Sequence, residues 1–432
     1  MLDVNDIFIS TLSNDLKTSE DKNMKWVIIG ILFAVYLFEM IVSFLNYRYR
    51  FKPIPDVLKD VYDEDRYGAW LMYSLENHRF NLIRRGFDLI LLVVFLLAGL
   101  FARLETVTAS WTTSPILATL YFLFVYVSVE FLLAIPFKRY QIFKIEEKYG
   151  FNKTTKKTFV KDQFLAFVMT MILGGLIVGG IHALYLQFSN NLWTFVLVSW
   201  GSITLVMILI FMFLNKVFLR LFNKFTPLPE GSLRTRIEEL ASSLGFNIKA
   251  LSVMDASRRS TKLNAFFTGI GKSKEVVLFD TLIDKMSEDE ILAVLAHELG
   301  HAVHKDTYRN LIQQILIILI YALGIGLILQ SETLATTFGL TGVHFGFALI
   351  LFFILFEPIQ LLLGIPLSAL SRKAEFKADA FAKSKTSGEH MISALKVLAK
   401  EDLVNLNPHP LTVLLYYSHP PMKERIEAII KA

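Results

Sequence analysis

Seven long apolar stretches constrain this 432-residue chain more than any other feature; they lie at approximately 26–46, 87–103, 116–137, 164–188, 193–215, 311–330 and 343–370. A hydrocarbon layer about 30 Å thick needs roughly 20 helical residues at 1.5 Å each, and each stretch comes close to that length or exceeds it. The second is the shortest. Composition agrees: 54% hydrophobic against 19% charged residues excludes an ordinary soluble globule and a disordered chain. The formal charge of +5 says little by itself, and no nucleic-acid partner is expected. With no Cys, the chain has no disulfide, thiolate metal site or cysteine nucleophile. The first 25 residues mix acids, amides and Ser without an apolar core, so no cleavable signal peptide is expected.

Charge is distributed unevenly between the stretches. Lys and Arg number eight in 47–86, eight in 138–163, fourteen in 216–310 and ten in 371–432, against none in 104–115, 189–192 or 331–342. The positive-inside rule places the basic connections and the C-terminus in the cytoplasm and the N-terminus outside, and an odd number of spans agrees with opposite ends. Glu39, Glu130, His182, Gln313, Gln314, Glu357 and Gln360 lie within spans. Lipid penalises such groups, which hydrogen-bond to neighbouring helices or line an interior polar cavity. Gly174-Gly175 and Gly179-Gly180 suggest close helix approach, and Pro358 and Pro366 suggest kinks.

The connection between spans five and six has the composition of a soluble domain. It opens with the proline-punctuated turn Phe225-Thr-Pro-Leu-Pro-Glu-Gly231. Helical periodicity runs from Ser232 to Leu244 and ends at Gly245, a C-cap. Ala250–Met254 and Glu275–Phe279 read as strands, with a third over Leu263–Thr268 and a turn at Gly269 and Gly271. Ser287 and Glu290 form a capping box that starts a helix through Ile291–His304.

That helix carries His297-Glu298-Leu299-Gly300-His301. Residues four apart share a helix face, so both imidazoles can grip one cation, and imidazole nitrogen favours zinc. Glu298, beside them, can take a proton from a water whose pKa the metal lowers to about 7. Two His leave zinc one protein ligand short. After span seven the chain reads Ser371-Arg-Lys-Ala-Glu375-Phe-Lys-Ala-Asp379, where one acid can ligate while the other orients an imidazole, although an acid among Lys and Arg is commonly a solvated surface residue. His419, fixed in direction by Pro420 and Pro421, can hydrogen-bond to an oxyanion and Arg425 can hold charge in place, although a lone His in a turn is more often a surface residue.

HELGH at 297–301, SRKAEFKADAFA at 371–382, NAFFTG at 264–269, KFTPLPEG at 224–231, EEKYGFNKTT at 146–155 and SHPPMKER at 418–425, interleaved with seven spans, resemble the integral-membrane zinc endopeptidase family of the CaaX prenyl protease 1 type. The resemblance covers nearly the whole chain. It implies a mostly α, integral-membrane fold: seven transmembrane helices form an α-barrel around a chamber, with a small α+β zinc-peptidase domain on the cytosolic side. It implies one zinc per chain held by His297, His301 and Glu375, with Glu298 as general base and Asp379 orienting a ligand. His419 and Arg425 would stand near the substrate carbonyl and the oxyanion, and Asn264, Ala265 and Phe266 would pair with substrate backbone. An extended peptide added to an exposed strand edge is held in register for cleavage. Ala302 departs from the family, where an aromatic residue often follows HELGH.

The chain accordingly divides into 1–222, an N-terminal tail and spans one to five; 223–309, the zinc-peptidase insert; 310–370, spans six and seven; and 371–432, a cytosolic helical segment supplying the third ligand. The expected reaction is metal-assisted hydrolysis of a peptide or protein substrate, with removal of the last three residues of a prenylated Cys-a-a-X terminus as the family's activity. The site faces the cytosol, from the endoplasmic reticulum membrane in a eukaryote or the plasma membrane in a bacterium. Two alternatives are a membrane quality-control zinc protease without prenyl specificity, whose relatives have about four spans, and a non-enzymatic seven-helix protein.

Overall fold

The computed structural model describes residues 4–268 and 273–432, so the turn expected at Gly269 and Gly271 lies outside the described residues. Helix α1 (Val4–Tyr49) is one continuous helix that includes the first apolar stretch. Helices α2 (Glu64–Leu97) and α3 (Leu100–Ala109) follow, bent by 65° at the break between them. The second span therefore differs from the reading over 87–103, because Gly99 adopts a left-handed φ of 64° and divides that stretch between two helices. Much of the basic connection read as 47–86 is already helical, since α2 begins at Glu64 under the cap of Asp63, whose side chain accepts from Arg66 N.

Helix α4 (Pro115–Tyr140) starts with Ser114 as cap and Pro115 at its first turn and runs into a π-helical turn, Gln141–Glu146. Helices α5 (Lys156–Phe188) and α6 (Leu192–Leu209) complete the first group, and a second π-helical turn leads into α7 (Asn215–Phe222). Among the described residues six helices are long and apolar enough to cross a membrane, and counting the bent α2–α3 pair as one span gives seven. Added Cβ atoms at Gly174, Gly175 and Gly180 would meet open space, and only Gly179 has neighbours, Leu120 and Ile116. The doublets therefore do not mark close helix approach; Gly174 and Gly175 line a groove against α4.

The polar insert begins with β1 (Phe225–Pro227), a strand where the prolines suggested a turn, and continues through α8 (Ser232–Ser243) and β2 (Asn247–Met254). Strands β3 (Ala265–Thr268) and β4 (Ser273–Phe279) complete a sheet of order β1-β2-β4-β3. β2 and β4 are parallel, and β1 and β3 run antiparallel to their neighbours. Helices α9 (Asp280–Lys285) and α10 (Glu288–Val303) follow, the latter opened by the capping box expected from Ser287 and Glu290. The insert is anchored to the membrane part at one point in particular: Arg259 pairs with Asp162 of α5 at 2.8 Å, and Lys153 N donates to Arg259 O at 3.0 Å. The Glu146–Thr155 motif is thus a docking segment.

Helix α11 (Asp306–Leu329) and the short α12 (Glu332–Thr336) lead to α13 (Phe345–Lys385). Pro358 and Pro366 lie inside α13 without ending it. Helices α14 (Gly388–Glu401), α15 (Pro410–Tyr416) and α16 (Met422–Lys431) close the chain.

Helix α10 sits between two apolar layers. Ile291, Leu292 and Leu295 pack toward the sheet with Val276, Leu278 and Ile237. Ala293 and Ala296 face Trp70, Ala382, Leu395, Leu403 and Ile426. Burial on both sides fixes the helix, because each fully buried Leu or Ile contributes about 1.5–3 kcal/mol relative to exposure.

Candidate active site

The site forms where α10 crosses α13. Gly300 permits the crossing: a Cβ there would meet Ala378 Cα at 3.2 Å and Phe381 Cδ1 at 3.2 Å. With the helices so close, ligands from both converge. His297 Nε2 lies 3.2 Å from His301 Nε2 and 3.4 Å from Glu375 Oε2, and His301 Nε2 lies 3.3 Å from Glu375 Oε1. His297 and Glu375 are buried, and His301 is partly exposed.

Each imidazole is held from behind by a different carboxylate. His297 Nδ1 stands 2.9 Å from Asp379 Oδ1, and His301 Nδ1 stands 2.8 Å from Asp306 Oδ2. Such partners fix a ligand's ring orientation and raise its basicity. Asp306 has no counterpart among the residues singled out in the sequence. Its placement depends on Lys305, whose left-handed φ of 60° breaks the helix between α10 and α11. Arg309 Nη1 pairs with the other Asp306 oxygen at 2.9 Å.

Arg425 donates twice to Asp379, Nε to Oδ2 at 2.8 Å and Nη2 to Oδ1 at 2.6 Å, with Nη2 also 3.7 Å from Glu375 Oε2. A buried guanidinium needs such an anionic partner, and this one is turned to the Asp379 carboxylate that stands behind His297. His419 Nε2 is 3.5 Å from Glu375 Oε1, its side chain is 64% exposed, and its Nδ1 lies 3.0 Å from Ser418 Oγ. Burial lifts the Glu298 carboxyl above its ordinary range against the pull of the two imidazoles. Burial pushes His301 down, but Glu375 and Asp306 outweigh it and hold the imidazole at about 9. Although the His419 side chain is largely accessible, its crowding by surrounding groups, with the nearby Arg425 charge, holds it below the usual histidine value against the pull of Glu375.

Strand β3 packs beside α10 at the edge of the sheet. Phe279 N donates to Asn264 O at 3.1 Å, so by antiparallel alternation the backbone groups of Ala265 and Phe267 point to the free edge. Asn264 itself is exposed, and its Oδ1 accepts from Ala265 N at 2.9 Å.

The residues fit a metal. His297, His301 and Glu375 each offer one ligand atom, all within 4.8 Å of one another. Glu375 Oε2 is buried and accepts no hydrogen bond, an unmet acceptor 3.4 Å from His297 Nε2; the other buried atom of the cluster without a well-formed hydrogen bond is His297 Nδ1, 2.9 Å from Asp379 Oδ1.

Comparison with known proteins agrees. Residues 227–432 match Peptidase family M48, and residues 43–224 match the CAAX prenyl protease N-terminal region of five membrane helices. The fold and site define a multi-pass membrane metalloprotease. The CAAX prenyl protease 1 homolog of Oryza sativa subsp. japonica is 34% identical over 415 residues, 93% of this chain and 96% of that protein. CAAX prenyl protease 1 of Saccharomyces cerevisiae is 32% identical over 450 residues, covering 96% and 98%. The crystal structure of S. mikatae Ste24p superposes with a TM-score of 0.89 at 29% identity, covering 94% of this chain and 98% of that one. The chain belongs to the CAAX prenyl protease 1 family, which removes the reading as a non-enzymatic seven-helix protein.

Proposed function

We propose that the protein is a zinc-dependent endopeptidase that removes the last three residues from prenylated Cys-a-a-X termini on the cytosolic side of its membrane. Spacing within the cluster carries the zinc assignment. Four-coordinate zinc with bonds of about 2.0–2.1 Å has ligand atoms roughly 3.3–3.4 Å apart; the two Nε2 atoms are 3.2 Å apart, and the Glu375 carboxylate turns one oxygen to each of them, Oε2 at 3.4 Å from His297 and Oε1 at 3.3 Å from His301. Imidazole and carboxylate donors suit that ion. When bound, zinc polarises the scissile carbonyl and acidifies water.

His297, His301 and Glu375 hold the ion, while Asp379 and Asp306 keep the two rings in place. Glu298, with its carboxyl lifted by burial, accepts a proton from the attacking water and passes it to the leaving amine. Ser418 Oγ lies 3.0 Å from His419 Nδ1, and in the tautomer in which the hydroxyl donates to Nδ1 the proton of neutral His419 stands on Nε2, where it can be donated to the developing oxyanion. Arg425 acts through Asp379, neutralising charge behind the ligands. The free edge of β3 aligns the peptide. Substrate chemistry rests on the relatives, whose names describe CAAX prenyl proteases. The basic connections support a cytosolic site, at the endoplasmic reticulum in a eukaryote or the plasma membrane in a bacterium.

The test is Glu298→Gln assayed on a farnesylated Cys-a-a-X peptide and on the same peptide without the lipid. The variant is expected to keep zinc and lose about 10²–10⁴-fold in turnover. Wild-type protein should prefer the farnesylated peptide. Undiminished proteolysis by Glu298→Gln would overturn the base assignment, and equal cleavage of both peptides would overturn the prenyl specificity.

A further inference from the structure

A polar cavity of about 400 Å³ lies between the ends of α1 and α2 and the connection between α14 and α15. Ser43, Asn46 and Arg50 line it from one face of α1 and the turn that follows, and Asn77, His78 and Arg85 line it from α2. Most of these groups are satisfied. Ser43 Oγ lies 3.2 Å from His78 Nδ1, and Asn46 Oδ1 accepts from His409 N at 3.0 Å. Asn77 Oδ1 accepts from Gln141 Nε2 at 2.8 Å, and Arg85 Nη1 pairs with Glu39 at 2.9 Å.

Arg50 differs. Its Nε and Nη1 are buried without a hydrogen-bond partner, and no ion pair of Arg50 is found among the described residues. The guanidinium carbon stands 5.9 Å over the Tyr47 ring, a contact that leaves the N–H donors unspent. Desolvated guanidinium donors are costly when unmatched, and their planar fork is shaped for a carboxylate or a phosphate.

The cavity's position identifies which anion. Leu403 lines it, and the preceding residue, Asp402, accepts from Leu263 N at 3.3 Å. Leu263 directly precedes Asn264 and β3. On the other side, Trp70 and Leu403 share an apolar cluster with Ala293, one turn before His297, and Ala296, directly before it. A peptide laid antiparallel on the free edge of β3 runs from Thr268 toward Ala265, so its C-terminal end points toward Leu263, Asp402 and the cavity. Three extended residues span about 10 Å, the length of the fragment released.

We propose that Arg50 is a specificity-determining residue that binds the α-carboxylate of the substrate's last residue. Anchoring the terminus at a fixed distance from Glu298 makes the cavity a ruler that sets the cut three residues from the end. This deepens the endopeptidase reading above and rests on it.

The test compares one farnesylated peptide as a free acid and as a C-terminal amide, on wild-type protein, Arg50→Gln and Arg50→Lys. Wild-type kcat/KM should favour the acid by about ten- to a hundredfold, mostly through KM. Arg50→Gln should bring the acid down to the amide's value and leave the amide unchanged, and Arg50→Lys should recover part of the difference. A wild-type preference under twofold, or an equal fall for both peptides in Arg50→Gln, would overturn the proposal. Binding of the released tripeptide, as acid and as amide, to the Glu298→Gln protein by calorimetry separates this proposal from the reaction itself. Preference for the acid there, lost on adding Arg50→Gln, supports the anchor whatever the turnover. Equal binding of both forms overturns it even in an active protease, as does Arg50-dependent binding of phosphatidic acid vesicles without acid-over-amide preference.

Discussion

The metal cluster and the Arg50 cavity both gather polar groups into buried space, and they treat charge in opposite ways. At the crossing of α10 and α13, Arg425 is held by two bonds to Asp379, Asp379 by His297, and Asp306 by His301 and Arg309. In the cavity, Arg85 is matched by Glu39, but two donors of Arg50 are not matched at all. A cluster that is paired on every side except toward one point is built to hold something small and fixed at that point. A site with a spare guanidinium fork is built to receive an anion that comes and goes.

Breaking the first kind of site should cost most. Asp379→Ala frees His297 Nδ1 and strands the buried Arg425 charge, so it should weaken metal binding by about 10–100-fold and destabilise the fold by on the order of 3–5 kcal/mol. Asp306→Ala should produce the loss of metal affinity with a smaller loss of stability, since His301 and Arg309 are partly exposed. Metal titration and denaturant melts of the two variants check the difference. Gly300→Ala should come next: the methyl group meets Ala378 and Phe381 across the helix crossing, costing about 1–3 kcal/mol and loosening the ligand set. A melting curve with metal content read on the same sample tests it. The smallest effect is expected from Asn46→Asp, which places a carboxylate on the cavity wall four residues from Arg50. It should lower the preference for free-acid over amidated peptide by a few-fold and leave metal content unchanged.

The features legible in the sequence were those with local causes. Apolar length gave the spans, the Ser287 and Glu290 spacing gave the start of α10, and the i, i+4 imidazoles placed a cation site on one helix face. The spacing of Glu375 and Asp379 leaves open which of the two ligates, the family resemblance names Glu375, and only the fold brings it to the imidazoles. Asp306 was missed although it lies five residues past His301, because an acid after a Lys carries no signal until the backbone turn at Lys305 is known. Strand β1 was hidden by its prolines, which an edge strand tolerates. The break at Gly99 was hidden inside an apolar run, where hydropathy does not register a left-handed residue. Arg50 registered only as one positive charge in a basic connection, since a missing partner is visible only in three dimensions.

The proposed hydrolysis depends most on an ion seated among His297, His301 and Glu375. Anomalous X-ray diffraction from crystals of the purified protein, measured on either side of the zinc absorption edge, tests it directly. One peak per chain between the two Nε2 atoms and the Glu375 carboxylate, absent from crystals of Glu375→Ala, is the predicted result. A zinc peak elsewhere, or none at that position in fully active protein, would contradict it.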